Sequence, residues 1–208
     1  MKDALYNIEY GLFVLTAHEN GKDNGCIINA VTQVTSSEPI ILAVNVSKKN
    51  YTHGMIQRTG LMNISILTKD VPMDVIKHFG FQSGENVNKF ENCTHAMRSE
   101  NGLLYVPKYT NAVISGKVVS SVDCSDHTIF LVEVTEKKVL SDAESVTYSY
   151  YRNTIMPSAK KAAEPKTEQS NSKWICKVCG YVYEGEELPA DYICPWCKHG
   201  VSDFEKLD

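Results

Sequence analysis

Asn24-Gly25-Cys26-Ile27-Ile28-Asn29-Ala30-Val31-Thr32-Gln33-Val34-Thr35-Ser36-Ser37-Glu38-Pro39-Ile40-Ile41-Leu42 is the stretch on which the fold turns. Cys26 to Val34 reads as a strand, and the small polar residues after it as a turn. Pro39 to Val46 is an almost continuous apolar strand. Outward from this stretch, Gly11 to Ala17 is another strand run, followed by a turn cluster from Glu19 to Gly25. Tyr51 to Arg58 reads as a short helix ending before Gly60, and Leu61 to Leu67 as an alternating strand. Val71 to Phe79 reads as a second helix with Pro72 in its first turn. Residues 80–102 are loop-rich. Ala112 to Val122 and Thr128 to Leu140 are two long strands joined by Asp123-Cys124-Ser125-Asp126-His127. Six or more strands with few helices give a mainly β fold, a barrel.

The chain has 208 residues and a formal net charge of −4, which leaves no basic footprint for nucleic acid. No apolar run is long enough for a transmembrane helix, and the N-terminal residues carry no signal-peptide core. The expected location is therefore the cytoplasm, where thiols stay reduced, so seven cysteines need a reason other than disulfides.

Four of the seven supply it: Cys176-x2-Cys179 and, fourteen residues on, Cys194-x2-Cys197. Each C-x-x-C turn aims two thiolates at one point, and two such turns complete a tetrahedral metal site. The competing reading is a pair of redox dithiols. Residues 173–208 are too few to build a sufficient core from Trp174, Tyr181, Tyr183, Tyr192, Trp196 and Phe204 alone, so metal binding and folding of this segment are one event. Four thiolates suit zinc and iron equally. The segment is acidic, four Lys against seven Asp and Glu, which disfavours a nucleic-acid-gripping zinc ribbon. Ser158 to Ser172 holds no aromatic and no aliphatic larger than Ala apart from Pro165, and reads as a flexible tether spanning roughly 20 Å. The expected domains are thus 1–157, a linker 158–172, and 173–208.

No G-x-G-x-x-G or Walker A motif is present, which removes the usual nucleotide folds. Ser47 to His53 ends a strand and opens a helix, and its Ser, Lys, Asn and Thr donors beside a helix N-terminus suit a phosphate; the plainer reading is an Asn50 N-cap with solvent-facing lysines.

Two resemblances sharpen these readings. Trp174 to Gly185 and Cys194-Pro195-Trp196-Cys197-Lys198 resemble the knuckles of rubredoxins, with the short spacing of the rubredoxin-type domain of rubrerythrins. The competing reading is a zinc ribbon that only staples the tail. Asn24 to Leu42 resembles the signature of the flavin reductase-like, FMN-binding split-barrel family, and Ser125 to Val134 resembles that family's Asp-His motif. The family's Gly within the latter segment is absent. The fusion is similar to the high-molecular-weight rubredoxins of anaerobic bacteria.

The resemblance implies an FMN-binding split β-barrel with a tetrathiolate rubredoxin-like domain, acting as an NAD(P)H-dependent oxidoreductase. Electrons would pass from NADH or NADPH to FMN, then to iron (or zinc in its place) on Cys176, Cys179, Cys194 and Cys197. The acceptor would be a flavodiiron-type protein that removes oxygen or nitric oxide. It further implies Asn29, Ala30, Val31, Thr32, Gln33 and Thr35 along the isoalloxazine and ribityl chain, and Ser47, Lys49, Asn50 and Thr52 at the phosphate. His127 would stand on the nicotinamide side as the catalytic candidate, orienting or stabilising, and the chain would be a homodimer. Two alternatives stand beside this: an electron carrier without its own nicotinamide activity, and a free-flavin reductase with a zinc-stapled tail. Cys26, Cys93 and Cys124 lack metal-ligand spacing and read as ordinary half-buried thiols.

Overall fold

The computed structural model describes residues 4–91, 93–157, 173–178, 181–194 and 199–207. The expected linker, Cys179 and Cys197 lie outside the described residues. The chain divides into two units, 1–153 and 154–208.

In the first unit the strands are β1 (Phe13–Glu19), β2 (Lys22–Ile28), β3 (Val31–Gln33), β4 (Ile41–Ser47), β5 (Leu61–Leu67), β6 (Met97–Arg98), β7 (Leu104–Tyr105), β8 (Thr110–Cys124) and β9 (His127–Val139). Two helices, α1 (Tyr51–Thr59) and α2 (Met73–Gly80), interrupt them. Seven strands form one sheet in the order β2-β1-β5-β8-β9-β4-β3, antiparallel throughout. Period-two alternation sends one face of each strand inward. In β4 the inward set is Leu42, Val44 and Val46, none more than 6% exposed. One core cluster joins Cys26 and Ile28 of β2 to those three residues of β4, although the strands lie near opposite ends of the sheet. A flat sheet could not bring them together; the sheet curls, and Met55 and Ile56 of α1 fill the space within. The mainly β fold is as expected.

Several boundaries differ from expectation. The turn after β1 shrinks to Asn20-Gly21, both left-handed, because Lys22, Asp23 and Asn24 pair with Glu19, His18 and Ala17 as strand. Polarity marked them as turn residues; in the strand Asn24 is buried and hydrogen-bonds Thr52, while Asp23 pairs with His18 and Arg98. The run Cys26 to Val34 breaks at Asn29-Ala30, because β2 pairs with β1 whereas β3 pairs with β4. Pro72 stands just before α2 as its N-cap rather than in its first turn. Within 80–102 one short strand, β6, pairs with β7 as a separate two-stranded sheet. Side chains moor that sheet: Asn63 Nδ2 donates to Ser99 Oγ at 2.7 Å and Leu103 O at 3.1 Å, Thr16 donates to Leu104 O, and Ser65 Oγ accepts from Val106 N at 3.2 Å.

The second unit has a three-stranded sheet of β10 (Lys173–Cys176), β11 (Val182–Glu184) and β12 (Phe204–Leu207), in the order β11-β10-β12. Its core is small: Cys176, Cys194 and Phe204, with Trp174, Tyr181, Tyr183, Leu188 and Tyr192 packed around them. Among the described residues no helix is long and apolar enough to cross a membrane.

Candidate functional site

The outer face of β4, opposite the core, carries Ile41, Ala43, Asn45 and Ser47. Antiparallel partners share a face, so the register places Thr32 beside Ala43, Ile129 beside Asn45, and His127 beside Ser47. The Asn45 backbone N–H donates to Ala30 O at 3.0 Å, extending the same surface to the Asn29-Ala30 break. Most of the expected flavin residues therefore fall along one ribbon, from Ala30 and Thr32 to Ser47 and the start of α1.

Within that ribbon the roles divide. Thr35 braces the turn before β4: its hydroxyl donates to Pro39 O and accepts from Ile41 N, each at 2.8 Å. Gln33 Nε2 donates to Thr35 O at 2.7 Å. Both side chains hold the turn, which includes a cis Glu38-Pro39 bond.

At the other end Asn50 has extended dihedrals and precedes α1, but its side chain makes no capping bond. The first turn of α1 therefore lacks a side-chain cap, beside Ser47 and the exposed Lys49. Thr52 is wholly buried, and its hydroxyl accepts from Asn24 Nδ2 at 2.9 Å. It supports the turn from beneath. Lys48, absent from the sequence-based set, is committed to the β8–β9 tip: Nζ reaches both Asp123 oxygens at 2.7 Å and its N–H donates to Asp126 O. That contact holds the Asp123 carboxyl below its usual range.

His127 is half-exposed, with Nδ1 2.9 Å from Asp126 Oδ1. The hydrogen bond lowers the Asp126 pKa, and it orients the ring so that Nε2 faces away from the carboxylate. Register groups His127 with Ser47 rather than with Thr32, so it stands at the phosphate end of the ribbon. Close by, His53 is buried with Nε2 2.8 Å from Thr128 Oγ1; burial and then the Lys48 charge push its pKa down.

Sequence reasoning passed over Asn24, Asn45, Lys48 and Lys89. Asn45 carried a readable signal, a lone amide in the apolar run Ile40 to Val46. Lys89 carried none. It is 2% exposed, and Nζ donates to Gly25 O at 2.8 Å and Phe79 O at 2.7 Å.

The donor set fits FMN in two respects. An uncapped helix start flanked by Ser47 and Lys49 suits a phosphate, and Asn45 Oδ1 is buried without a protein donor along the way. In the second unit, Cys176 and Cys194 are fully buried. Backbone bonds run from Cys176 N to Tyr181 O and from Cys194 N to His199 O, both 2.8 Å. Buried thiols among aromatics, each opening a C-x-x-C turn, fit a thiophilic metal ion.

Comparison with known proteins agrees with this division. Residues 5–158 match the flavin reductase like domain, and residues 174–205 match the rubrerythrin, rubredoxin-like domain. A high molecular weight rubredoxin of Moorella thermoacetica is 34% identical, covering 98% of each chain. A ferric-chelate reductase (NAD(P)H) of Archaeoglobus fulgidus is 36% identical over 79% of this chain and 94% of its own. Among solved structures, the flavin reductase PheA2 superposes with a TM-score of 0.58 at 26% identity, covering 71% of this chain and 93% of the other. A curled antiparallel sheet with an anion-ready helix start, followed by a knuckled cysteine module, is thus the arrangement of an oxidoreductase, and the chain belongs to the flavin reductase-like family with a C-terminal rubredoxin-like domain.

Proposed function

We propose that the chain is an NAD(P)H-dependent FMN oxidoreductase whose own rubredoxin-type iron centre receives the electrons and serves a further redox protein, such as a flavodiiron protein that reduces oxygen or nitric oxide. The observation that carries this reading is the fusion: a relative sharing both domains aligns over 98% of each chain. A flavin reductase with no electron-carrying module would need only the first of them.

Bound FMN exchanges electrons in pairs with nicotinamide and singly with an iron ion, which is the chemistry such a fusion requires. The chain's part is to hold and orient. The α1 start with Ser47, Lys49 and Asn50 binds the phosphate, with Thr52 bracing the turn from below. Backbone groups of Asn29 to Gln33 lie along the ring edge, and Thr35 keeps their turn in shape. His127, aligned by Asp126, presents Nε2 to the bound nucleotide as an orienting group. Cys176, Cys179, Cys194 and Cys197 hold the iron. Exposed Val119 and Val122, each 51% exposed near the β8–β9 tip, support a homodimer closed across that ribbon.

Anaerobic stopped-flow mixing with NADH and with NADPH tests the order of transfer. Flavin absorbance should bleach first and ferric-thiolate absorbance second. In Cys176→Ser the second phase should vanish and the first survive. Flavin that stays oxidised with both nucleotides would remove the reductase assignment and leave an electron carrier.

The A. fulgidus relative favours a second reading, reduction of ferric chelates directly by the flavin domain. It predicts that Cys176→Ser keeps full ferric-chelate reduction, whereas the iron-relay reading predicts most of that rate is lost.

A further inference from the structure

Asn45 is out of keeping with its strand. The core-facing residues on either side, Val44 and Val46, are fully buried, and the outer face around Asn45 offers Ala43 on its own strand and Ile129 across the register. Its Oδ1 is sealed from solvent and meets no donor, although the residue as a whole is only half-buried. An unsatisfied buried carbonyl oxygen lowers stability, and Val would suit a strand position better. Buried polar atoms are rarely left unpaired without a reason.

Its place along the ribbon supplies one. Asn45 lies two residues from Ala43, whose partner is Thr32, and two residues from Ser47. At about 3.3 Å per residue it stands roughly 7 Å from each. In the flavin reading on which this inference rests, the ring lies toward Thr32 and the phosphate toward Ser47. Between them runs the ribityl chain, whose hydroxyls both donate and accept. A carboxamide does the same: its oxygen accepts from one hydroxyl and its nitrogen donates to another, and a half-turn about χ2 exchanges the two ends. A phosphate, which chiefly accepts, would leave Oδ1 unsatisfied. We propose that Asn45 is the ribityl-binding residue of this flavin site, its amide oxygen kept unpaired in the polypeptide because a polyol completes it.

The inference sets affinity against stability. In the full chain, Asn45→Val should weaken binding of FMN and of riboflavin about tenfold, read by quenching of flavin fluorescence, for the loss of a buried hydrogen bond. Lumiflavin has the same ring but a methyl group in place of the ribityl chain, and its affinity should not change. The melting temperature of the flavin-free variant should rise above that of the wild type. Asn45→Thr, whose hydroxyl can donate and accept where Val cannot, should recover part of the FMN affinity. Unchanged FMN affinity in Asn45→Val, an equal loss for lumiflavin, or a lower flavin-free melting temperature would each overturn the assignment. Wild-type chain that fails to quench FMN at all would overturn the flavin reading itself, and the role of Asn45 with it.

Discussion

Lys89 places an ammonium where almost no water reaches. Burial brings its pKa down from 10.5 to about 8, and the two carbonyls it serves, of Gly25 and Phe79, tie the segment before β6 to β2 and to the end of α2. A neutral amine still has two N–H donors for those two carbonyls, so the contact survives deprotonation. The folded pKa lies below the unfolded one, so the unfolded chain binds more protons between them. The penalty for burying charge is full below pH 8 and is relieved as pH climbs toward 10.5. Lys89→Met should therefore be destabilising at every pH, since it strands two carbonyls. Its deficit against wild type should widen by about 1–2 kcal/mol between pH 8 and pH 9.5, measured by urea unfolding. A deficit that stays flat over that range would mean Lys89 is already neutral, or is not buried as described.

Two glycines show how elements are bounded. Gly60 ends α1 in the left-handed region at φ 70°, and a Cβ there would touch nothing within 4 Å. Gly60→Ala should cost about 1 kcal/mol, from backbone conformation alone. Gly116 sits in β8 at a register shift, and a Cβ there would meet Val132 Cγ1 at 2.3 Å. Gly116→Ala should cost more, about 1–3 kcal/mol, because Val132 is buried and cannot step aside. Denaturant titration of both variants checks the ranking. Gly60 was legible from sequence as a helix stop, whereas nothing in the sequence set Gly116 apart from its strand neighbours. The same contrast runs through the site. Local signals such as the helix between Tyr51 and Gly60, the strand Leu61 to Leu67 and the paired cysteines could be read directly. What could not be read depends on which strand pairs with which: the break at Asn29-Ala30, the alignment of His127 with Ser47, and the burial of Lys89. Chemistry at a register position is invisible until the register is known.

At the scale of the whole chain, two bodies of unequal self-sufficiency share one polypeptide. The first has a core shared by five of its strands and one helix, whereas among the described residues the core cluster of the second has three buried members, two of them metal-ligand candidates. Stripping the metal with acid and chelator should abolish the unfolding transition of 173–208 and leave that of the first body in place, by calorimetry. Loss of both transitions together would show that the bodies fold as one. Within the first body the small β6–β7 sheet has a different standing again. It shares no ladder with the seven-stranded sheet and is held by side chains, those of Thr16, Asn63 and Ser65 and the Arg98 guanidinium of β6 on Asp23 of β2. Such a leaf can lift while every rung of the main sheet stays closed. Deuterium should then enter the amides of Met97 to Tyr105 at a rate indifferent to mild denaturant, long before the strands beneath surrender theirs.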